Sequence, residues 1–293
     1  MLMLRSAELC EPATQGDSRS AALTVGKLTG VIREMRDDPS RDFKTSLAAA
    51  RLAVSPESFI RAFKQVTGLS PQRFHAALRI ESAKRLLVET NRPVTEISLD
   101  VGYSSLGTFV RTFALLVGVP PGQLRRLARG DGLSAAAAAA AAAFGSGLRG
   151  DPASALAVRL QAIPAGRMLA VGLFPQSIPA GLPFDGCFVD PLAPTATLAW
   201  PSGCRRVSLL AAAIGPFCIR DAWAGRLDAL HVCQNSVVPS ARAAGPLPLQ
   251  LRRLAETDPP FLTPVPLLML LQSGRSGKGP RSATLAPIQE EQR

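Results

Sequence analysis

The stretch Ser55-Pro-Glu-Ser-Phe-Ile-Arg-Ala-Phe-Lys64 returns in altered form fifty residues later, as Ser105-Leu-Gly-Thr-Phe-Val-Arg-Thr-Phe-Ala114. The match extends outward at the same offset to three further pairs: Leu47 and Ile97, Gly68 and Gly118, Pro71 and Pro121. Seven matches at one offset are not expected by chance, so this part of the chain is interpreted as two copies of one structural unit.

Each copy predicts two helices joined by a tight turn. A short helix, at 47–53 or 94–101, precedes a serine at an N-cap position, where its hydroxyl accepts an unpaired backbone N–H. In the second helix two phenylalanines four residues apart share one face and pack inward, so that Arg61 or Arg111 projects away from them. A glycine then ends the helix. An arginine-bearing second helix after a tight turn is typical of a helix-turn-helix.

A long helix over 72–89 is predicted between the copies, with an apolar face and a basic face that carries Arg73, Arg79, Lys84 and Arg85. Its length of about 27 Å suits two recognition helices held roughly 34 Å apart, which is one turn of DNA. The alternative is a helical repeat whose phenylalanines are only core and whose arginines are only solvated.

The charge of the chain is concentrated in this repeat. The 293 residues contain 33 Lys and Arg against 22 Asp and Glu, and 13 of the basic but only 5 of the acidic residues lie in 44–129. A basic surface favours nucleic acid or an anionic membrane as partner. Because this charge lies on two copies of one Ser/Phe/Arg pattern, we expect double-stranded DNA as the partner. No apolar stretch reaches the ~18 residues of a membrane span, and we expect a cytoplasmic protein without membrane contact.

These residues resemble AraC/XylS-type transcriptional regulators over about 24–129, most specifically in Asp100-Val-Gly-Tyr-Ser-Ser105 and the segment that follows to Arg126. The resemblance implies an all-α DNA-binding domain of about seven helices with two recognition helices. It assigns base reading to these positions: Glu57, Ser58 and Arg61 in the first helix, and Leu106, Gly107, Thr108 and Arg111 in the second. RNA polymerase is a further candidate partner.

The chemistry of these side chains differs. Arg61 and Arg111 are suited to bidentate contacts with guanine or to phosphate, and Thr108 offers a hydroxyl or a methyl group. Glu57 is an acceptor for cytosine N4 or simply favours the helix N-terminus. Leu106 and Gly107 are poor polar readers. Four more residues complete the predicted DNA-binding set. Three of them, Ser104, Ser105 and Arg125, are predicted to contact phosphate, and the fourth is Ser55. Tyr103, by contrast, is predicted to be core.

The remaining chain predicts a second domain of another class. We divide the sequence into a flexible N-terminus (1–23), the tandem helix-turn-helix domain (24–130), an Ala/Gly-rich linker (131–153), a second domain (154–272) and a disordered tail (273–293). Short apolar runs between turns predict an antiparallel β-sandwich. These runs lie at 156–163, 167–174, 184–189, 195–200, 205–213, 247–251 and 267–271.

The Pro-Gly turns at 178–183 and 200–203 resemble those of transthyretin-like or carboxypeptidase-regulatory-like sandwiches. Many AraC/XylS regulators carry their sensor before the DNA-binding domain, and here the order is reversed. The second domain is therefore left with two candidate roles, binding of a small-molecule effector and self-association.

Catalytic and metal-binding patterns are not found in the sequence. Two histidines and five cysteines without a CxxC spacing argue against a zinc site, and His231 with Cys233 is a weak metal pair. The cysteines are predicted to be buried thiols in a reducing compartment. We therefore predict a non-enzymatic, cofactor-free, sequence-specific transcriptional regulator. The alternatives are a binding or scaffold protein attached non-specifically to nucleic acid and, with no supporting motif, a hydrolytic enzyme.

Overall fold

The computed structural model describes residues 25–132, 151–227, 231–237 and 245–269. Residues 25–132 form a helical region of seven helices. These are α1 (Val25–Asp37), α2 (Thr45–Arg51), α3 (Pro56–Thr67), α4 (Pro71–Glu89), α5 (Val94–Asp100), α6 (Leu106–Val117) and α7 (Pro121–Ala128). The predicted flexible N-terminus, most of the predicted linker and the predicted tail lie outside the described residues.

The described residues from 151 onward form a sheet region. Its strands are β1 (Asp151–Gln161), β2 (Met168–Phe174), β3 (Asp185–Val189), β4 (Thr195–Trp200), β5 (Val207–Ile214), β6 (His231–Val237), β7 (Leu247–Gln250) and β8 (Arg252–Arg253), with one helix, α8 (Ile219–Ala224), between β5 and β6. They form a three-stranded sheet in the order β4-β1-β7 and a five-stranded sheet in the order β3-β2-β5-β6-β8. Buried residues of both sheets, such as Leu156 and Leu209, share one core.

The predicted antiparallel arrangement is confirmed with one exception, since β1 pairs in parallel with β7. One strand boundary and one type of element also differ from the prediction. Strand β1 begins at Asp151, inside the predicted linker, because Asp151 already pairs with Trp200 of β4. The apolar run at 267–271 was predicted as a strand, but residues 265–269 are helical. Periodicity does not separate a short buried strand from a buried helical turn. The resemblance to transthyretin-like sandwiches stays a prediction.

The fifty-residue repeat is confirmed in detail. The hydroxyls of Ser55 and Ser105 accept the backbone N–H groups of Ser58 and Thr108, at 3.2 and 3.3 Å. Both helices end in a left-handed glycine, with φ of 76° in the first and 96° in the second. The paired phenylalanine rings lie 5.7 Å apart in α3 and 5.6 Å apart in α6. The same local signals have therefore produced the same local structure twice.

Helix α4 differs from the prediction of one apolar and one basic face. Its 19 residues include nine that are buried, among them Lys84, which is 0% exposed. Helix α8 and residues 261–262 of the sheet region pack against the side of α4 that carries Lys84. A helix that is covered on several sides does not need an amphipathic pattern. The second domain therefore covers part of the face that was predicted to be basic.

The Lys84 ammonium is held by the backbone of the sheet region. Its Nζ donates to the carbonyl of Phe261 at 2.8 Å and to that of Leu262 at 3.1 Å. Gly225, with φ of 82°, lies so close that an added Cβ would collide with Nζ. A buried charge is tolerated only with such partners, and burial lowers the pKa of Lys84 to about 8.

Further contacts join the two regions at both ends of the helical region. Near the end of α6 the Gly181 N–H donates to the Leu116 carbonyl at 2.6 Å. On α1, Arg36 donates to the Asp258 carbonyl at 2.6 Å. Residues of the sheet region, including Trp223, belong to the same hydrophobic cluster as the helices. The helical core is thus completed by the second region.

The lowered pKa of Lys84 predicts a pH dependence of stability. Between pH 8 and 10.5 the unfolded chain holds a proton at this lysine that the folded chain has released, so raising the pH favours folding. We expect the free energy of unfolding of the wild type, relative to Lys84→Met, to rise by roughly 3 kcal/mol across this window. Urea denaturation at several pH values measures the difference, and parallel profiles for the two proteins would contradict the burial of a titrating amine.

Candidate nucleic-acid interface

The first two turns of α3 present three of the predicted base-reading residues at the surface. Glu57 and Arg61 are exposed, and Ser58 is half-buried. The Ser55 hydroxyl, which caps the helix, also donates to the Ser58 hydroxyl at 3.1 Å. Because Phe59 and Phe63 are both 0% exposed, they fix the orientation of the helix and leave Arg61 on the outer side.

The equivalent turns of α6 present the second set. Gly107, Thr108 and Arg111 are exposed, and Leu106 is 42% exposed despite its apolar side chain. An added Cβ at Gly107 would approach nothing closer than the Ser105 hydroxyl at 3.9 Å. This end of α6 is therefore narrow, open and mainly apolar, with Thr108 and Arg111 as its polar groups.

Arg61 and Arg111 differ from most arginines of the helical region. Within the residues that the structure describes, neither guanidinium takes part in a hydrogen bond or an ion pair, a state that they share with Arg41 and Arg126. The arginines that do have such partners are Arg33, Arg36, Arg51, Arg73, Arg79, Arg85, Arg92, Arg125 and Arg129. Two guanidinium groups at equivalent positions of the repeat are thus left for an external partner.

The predicted phosphate contacts occupy different environments. Ser104 and Ser105 are both exposed, but the Ser105 hydroxyl already serves as the N-cap of α6. Arg125 donates through Nε to the Leu87 carbonyl at 3.2 Å and through Nη2 to the Arg92 carbonyl at 2.5 Å. These bonds tie α7 to the end of α4, a structural role that the sequence did not indicate. Contact of Arg125 with phosphate stays a prediction. Such a contact would have to be made by the N–H groups that these two bonds leave unused.

Tyr103, predicted to be core, is half-buried and packs against the hydrophobic core of the helical region. Its ring contacts Phe109 edge-on at 5.4 Å, and the Arg79 guanidinium lies over it at 5.8 Å. Burial raises the pKa of its hydroxyl. The neighbouring Gly102, with φ of 85°, leaves no room for a Cβ beside the Ser40 carbonyl. These two residues hold the turn that aims α6.

The adjacent serines allow a matched test of the cap. We expect Ser105→Ala to lower the free energy of unfolding by about 1 kcal/mol, because the Thr108 N–H loses its acceptor. The control, Ser104→Ala, removes an exposed hydroxyl one residue away and should leave stability unchanged. Thermal or urea unfolding measures both, and equal losses would contradict the assignment of the cap.

The sheet region leaves this surface uncovered. Its contacts with α6 lie at the far end, around Leu116 and Gly118, where the added Cβ of Gly118 would meet Leu182 at 2.9 Å. The opposite end, with Leu106 and Arg111, is exposed and is not covered by any described part of the sheet region. The two recognition surfaces are therefore accessible while the two regions are packed together.

Comparison with known proteins places this part of the chain. Residues 48–127 match the family model of a helix-turn-helix domain. The HTH-type transcriptional regulator YobQ of Bacillus subtilis is 42% identical over 66 residues, which are 22% of this chain and 27% of that protein. The HTH-type transcriptional regulator Rv1931c of Mycobacterium tuberculosis is 37% identical over 78 residues, 27% of this chain and 30% of that protein. The chain thus spans less than a third of the length of these curated relatives.

A solved transcriptional regulator from Chromobacterium violaceum, described as having an AraC-type DNA-binding domain, is also similar. It is 28% identical, with a TM-score of 0.33, over 35% of this chain and 92% of that one. The motif residues, the doubled unit and the family match agree on one assignment. Residues 48–127 form a helix-turn-helix domain that is similar to the AraC type, and we call them the AraC-type domain.

The cysteines of the described residues all lie outside the AraC-type domain. Four cysteines lie among the described residues; Cys187, Cys204 and Cys233 are half-buried, but Cys218 is exposed, contrary to the prediction of buried thiols. In the described ranges no group of three or more His, Cys, Asp or Glu could hold a metal ion. None of the described helices is long and apolar enough to cross a membrane.

The residues that join the AraC-type domain to the sheet region were missed. Lys84 was assigned to the basic face of the helix, and no role was predicted for Trp223. The sequence signal for this burial lies in α4 itself, where the apolar residues Leu78 and Ile80 are two positions apart and so lie on opposite sides of the helix. Such a distribution is typical of a helix covered on several sides.

Proposed function

We propose that the protein is a sequence-specific, double-stranded DNA-binding transcriptional regulator in which α3 and α6 enter successive major grooves. The proposal rests mainly on Arg61 and Arg111, which occupy equivalent sites of the repeat, are exposed and have no side-chain partner among the described residues. Arginine forms bidentate contacts with guanine O6 and N7, the commonest specific contact in the major groove. The relatives' printed names as transcriptional regulators support the same function.

The two helices would read DNA differently. In α3, Glu57, Ser58 and Arg61 offer an acceptor, a hydroxyl and a guanidinium, which suits polar base edges. In α6, Thr108 and Arg111 accompany the exposed side chain of Leu106, which suits a thymine methyl group beside a guanine. We expect Ser104 to contact phosphate, since it is exposed and the neighbouring Ser105 is engaged as the cap.

The competing function is non-specific attachment of a scaffold protein through the same basic surface. It needs only positive charge and does not explain why the unpaired arginines recur at equivalent positions. The experiment is a fluorescence-anisotropy titration of the full chain with a site selected from random DNA and with a scrambled site, across salt concentrations. We expect a preference of at least 10³-fold for the selected site. Equal affinity with an equally steep salt dependence would establish the scaffold function instead.

The wider setting follows from this proposal. A transcriptional regulator without catalytic activity would act where the chromosome is accessible, so we place the protein in the cytoplasm and retain RNA polymerase as a further candidate partner. For the sheet region, effector binding is favoured over self-association by a cavity that is lined by strands of the five-stranded sheet.

A further inference from the structure

The five-stranded sheet has a hollow on the face that points away from the shared core. Leu209, Ala211 and Ala213 of β5 point into the core between the sheets, whereas Ala212 and Ile214 point outward. On this outer face Ala170 pairs with Ala212, and Gly172 pairs with Gly186. Small residues on adjacent strands leave space that larger side chains would fill.

This hollow is part of a cavity of about 80 Å³. Residues 179–183 and 258–268 form the wall opposite the sheet, and Leu254, 44% exposed, stands at the mouth. A designed apolar cavity of about 150 Å³ binds benzene. The enclosed part here is smaller, so a ligand would place one small group inside and extend outward past Leu254.

The cavity carries no unbalanced charge among its described lining residues. Its one carboxylate, Asp258, is paired with both terminal nitrogens of Arg252 at 2.6 Å and accepts the Ala255 N–H. Burial raises the pKa of the Cys233 thiol, which keeps that group neutral. A charged ligand would find no partner to replace its lost hydration. The lining therefore suits an uncharged, mainly hydrophobic ligand.

The wall of this cavity is also the part of the sheet region that binds the AraC-type domain. Its two segments are joined to each other, because the Pro179 carbonyl accepts the N–H groups of Leu262 and Thr263, both at 2.9 Å. One segment then reaches α6 through Gly181, and the other reaches α4 through the Phe261 carbonyl. A change at the wall has a direct path to the second unit of the repeat and to α4, the helix that joins the two units.

We propose that this cavity binds a small, uncharged, mainly hydrophobic effector, and that its occupancy is transmitted to the AraC-type domain through segments 179–183 and 258–263. The ligand site itself is independent of DNA binding, whereas its regulatory meaning rests on the proposed function. A ligand that contacts the wall shifts the balance between two conformations only when it binds one of them more tightly than the other. The hydrogen bonds of Lys84 and of Gly181 across the two regions are the contacts that would change between these conformations.

The site is tested with the neutral fluorophore N-phenyl-1-naphthylamine and the full chain, without DNA. We expect saturable binding with one site per chain, weakened at least fivefold by Leu254→Glu, which places a charge at the exposed mouth. The matched control, Leu192→Glu, changes a leucine that is 94% exposed and lies outside the cavity, and should bind as the wild type does. Absence of saturable binding, or equal affinity in all three proteins, would overturn the site.

A second variant tests the cavity independently of any misfolding that Leu254→Glu causes at the mouth. Ala170→Leu fills the hollow from the sheet side and should weaken the probe by a similar factor while circular dichroism stays unchanged. Transmission is read by hydrogen exchange of the same complexes. We expect slower exchange at 179–183 and 258–263 and in α4 and the end of α6. Slowing confined to the strands would overturn transmission and leave the site. Because no DNA is present, neither outcome depends on sequence-specific DNA binding.

Discussion

The double variant Arg61→Ala/Arg111→Ala is expected to lose most of its discrimination between a selected DNA site and a scrambled one. Each arginine that reads a guanine contributes about 1–3 kcal/mol of discrimination. The two lie on different helices of the repeat and share no contact, so their effects should be nearly additive. The single variants should lose preference at different base pairs, one for each helix. Anisotropy titrations against a set of single-base substitutions measure both losses.

The matched control for this loss is Arg51→Ala. Arg51 belongs to the same domain and carries the same charge, but it is paired with Glu34 at 2.8 Å. Its removal should leave the discrimination intact. If Arg61→Ala and Arg111→Ala instead weaken specific and scrambled DNA by the same factor, the two arginines only bind phosphate.

Trp223→Ala is expected to destabilise the helical region although Trp223 lies in the sheet region. The side chain is 2% exposed and belongs to the hydrophobic cluster of the AraC-type domain, so its loss leaves a large cavity between the regions. The expected cost is about 3–5 kcal/mol. Urea denaturation followed by circular dichroism at 222 nm reports mainly on the helices and should show the full shift.

The chain has two tryptophans, so the fluorescence of Trp200 reports on the sheets in the same variant. We expect both signals to move together, because one shared core unfolds as a unit. The exposed Leu192→Ala should shift neither. A helical signal that keeps its wild-type midpoint while the sheet signal falls would show that the two regions are independent.

The helical region was largely predictable because its signals are local. A serine cap, two phenylalanines four residues apart and a terminal glycine each act within one helix, and the repeat presents every signal twice. The candidate site shares this advantage. Arg61 and Arg111 were located by their position relative to Phe59 and Phe109, which needs no knowledge of the rest of the chain.

The errors arose where distant contacts decide the structure. Lys84 is buried by carbonyls that lie 177 and 178 residues further along the chain. The engagement of Arg125 depends on the carbonyl of Leu87 at the end of another helix. The parallel pairing of β1 with β7 and the helical turn at 265–269 likewise follow from packing that a short apolar run does not encode.

The central claim, that one chain reads two successive major grooves, is tested most directly by the spacing of the two contacted segments of DNA. Helix α4 packs against both α3 and α6, so we expect the separation of these two helices to be fixed. Inserting 5 base pairs between the segments turns one of them by about half a helical turn. We predict that the full chain binds the lengthened site at least 100-fold more weakly than the selected site, near the level of a single segment. Unchanged affinity would contradict simultaneous reading by the two helices.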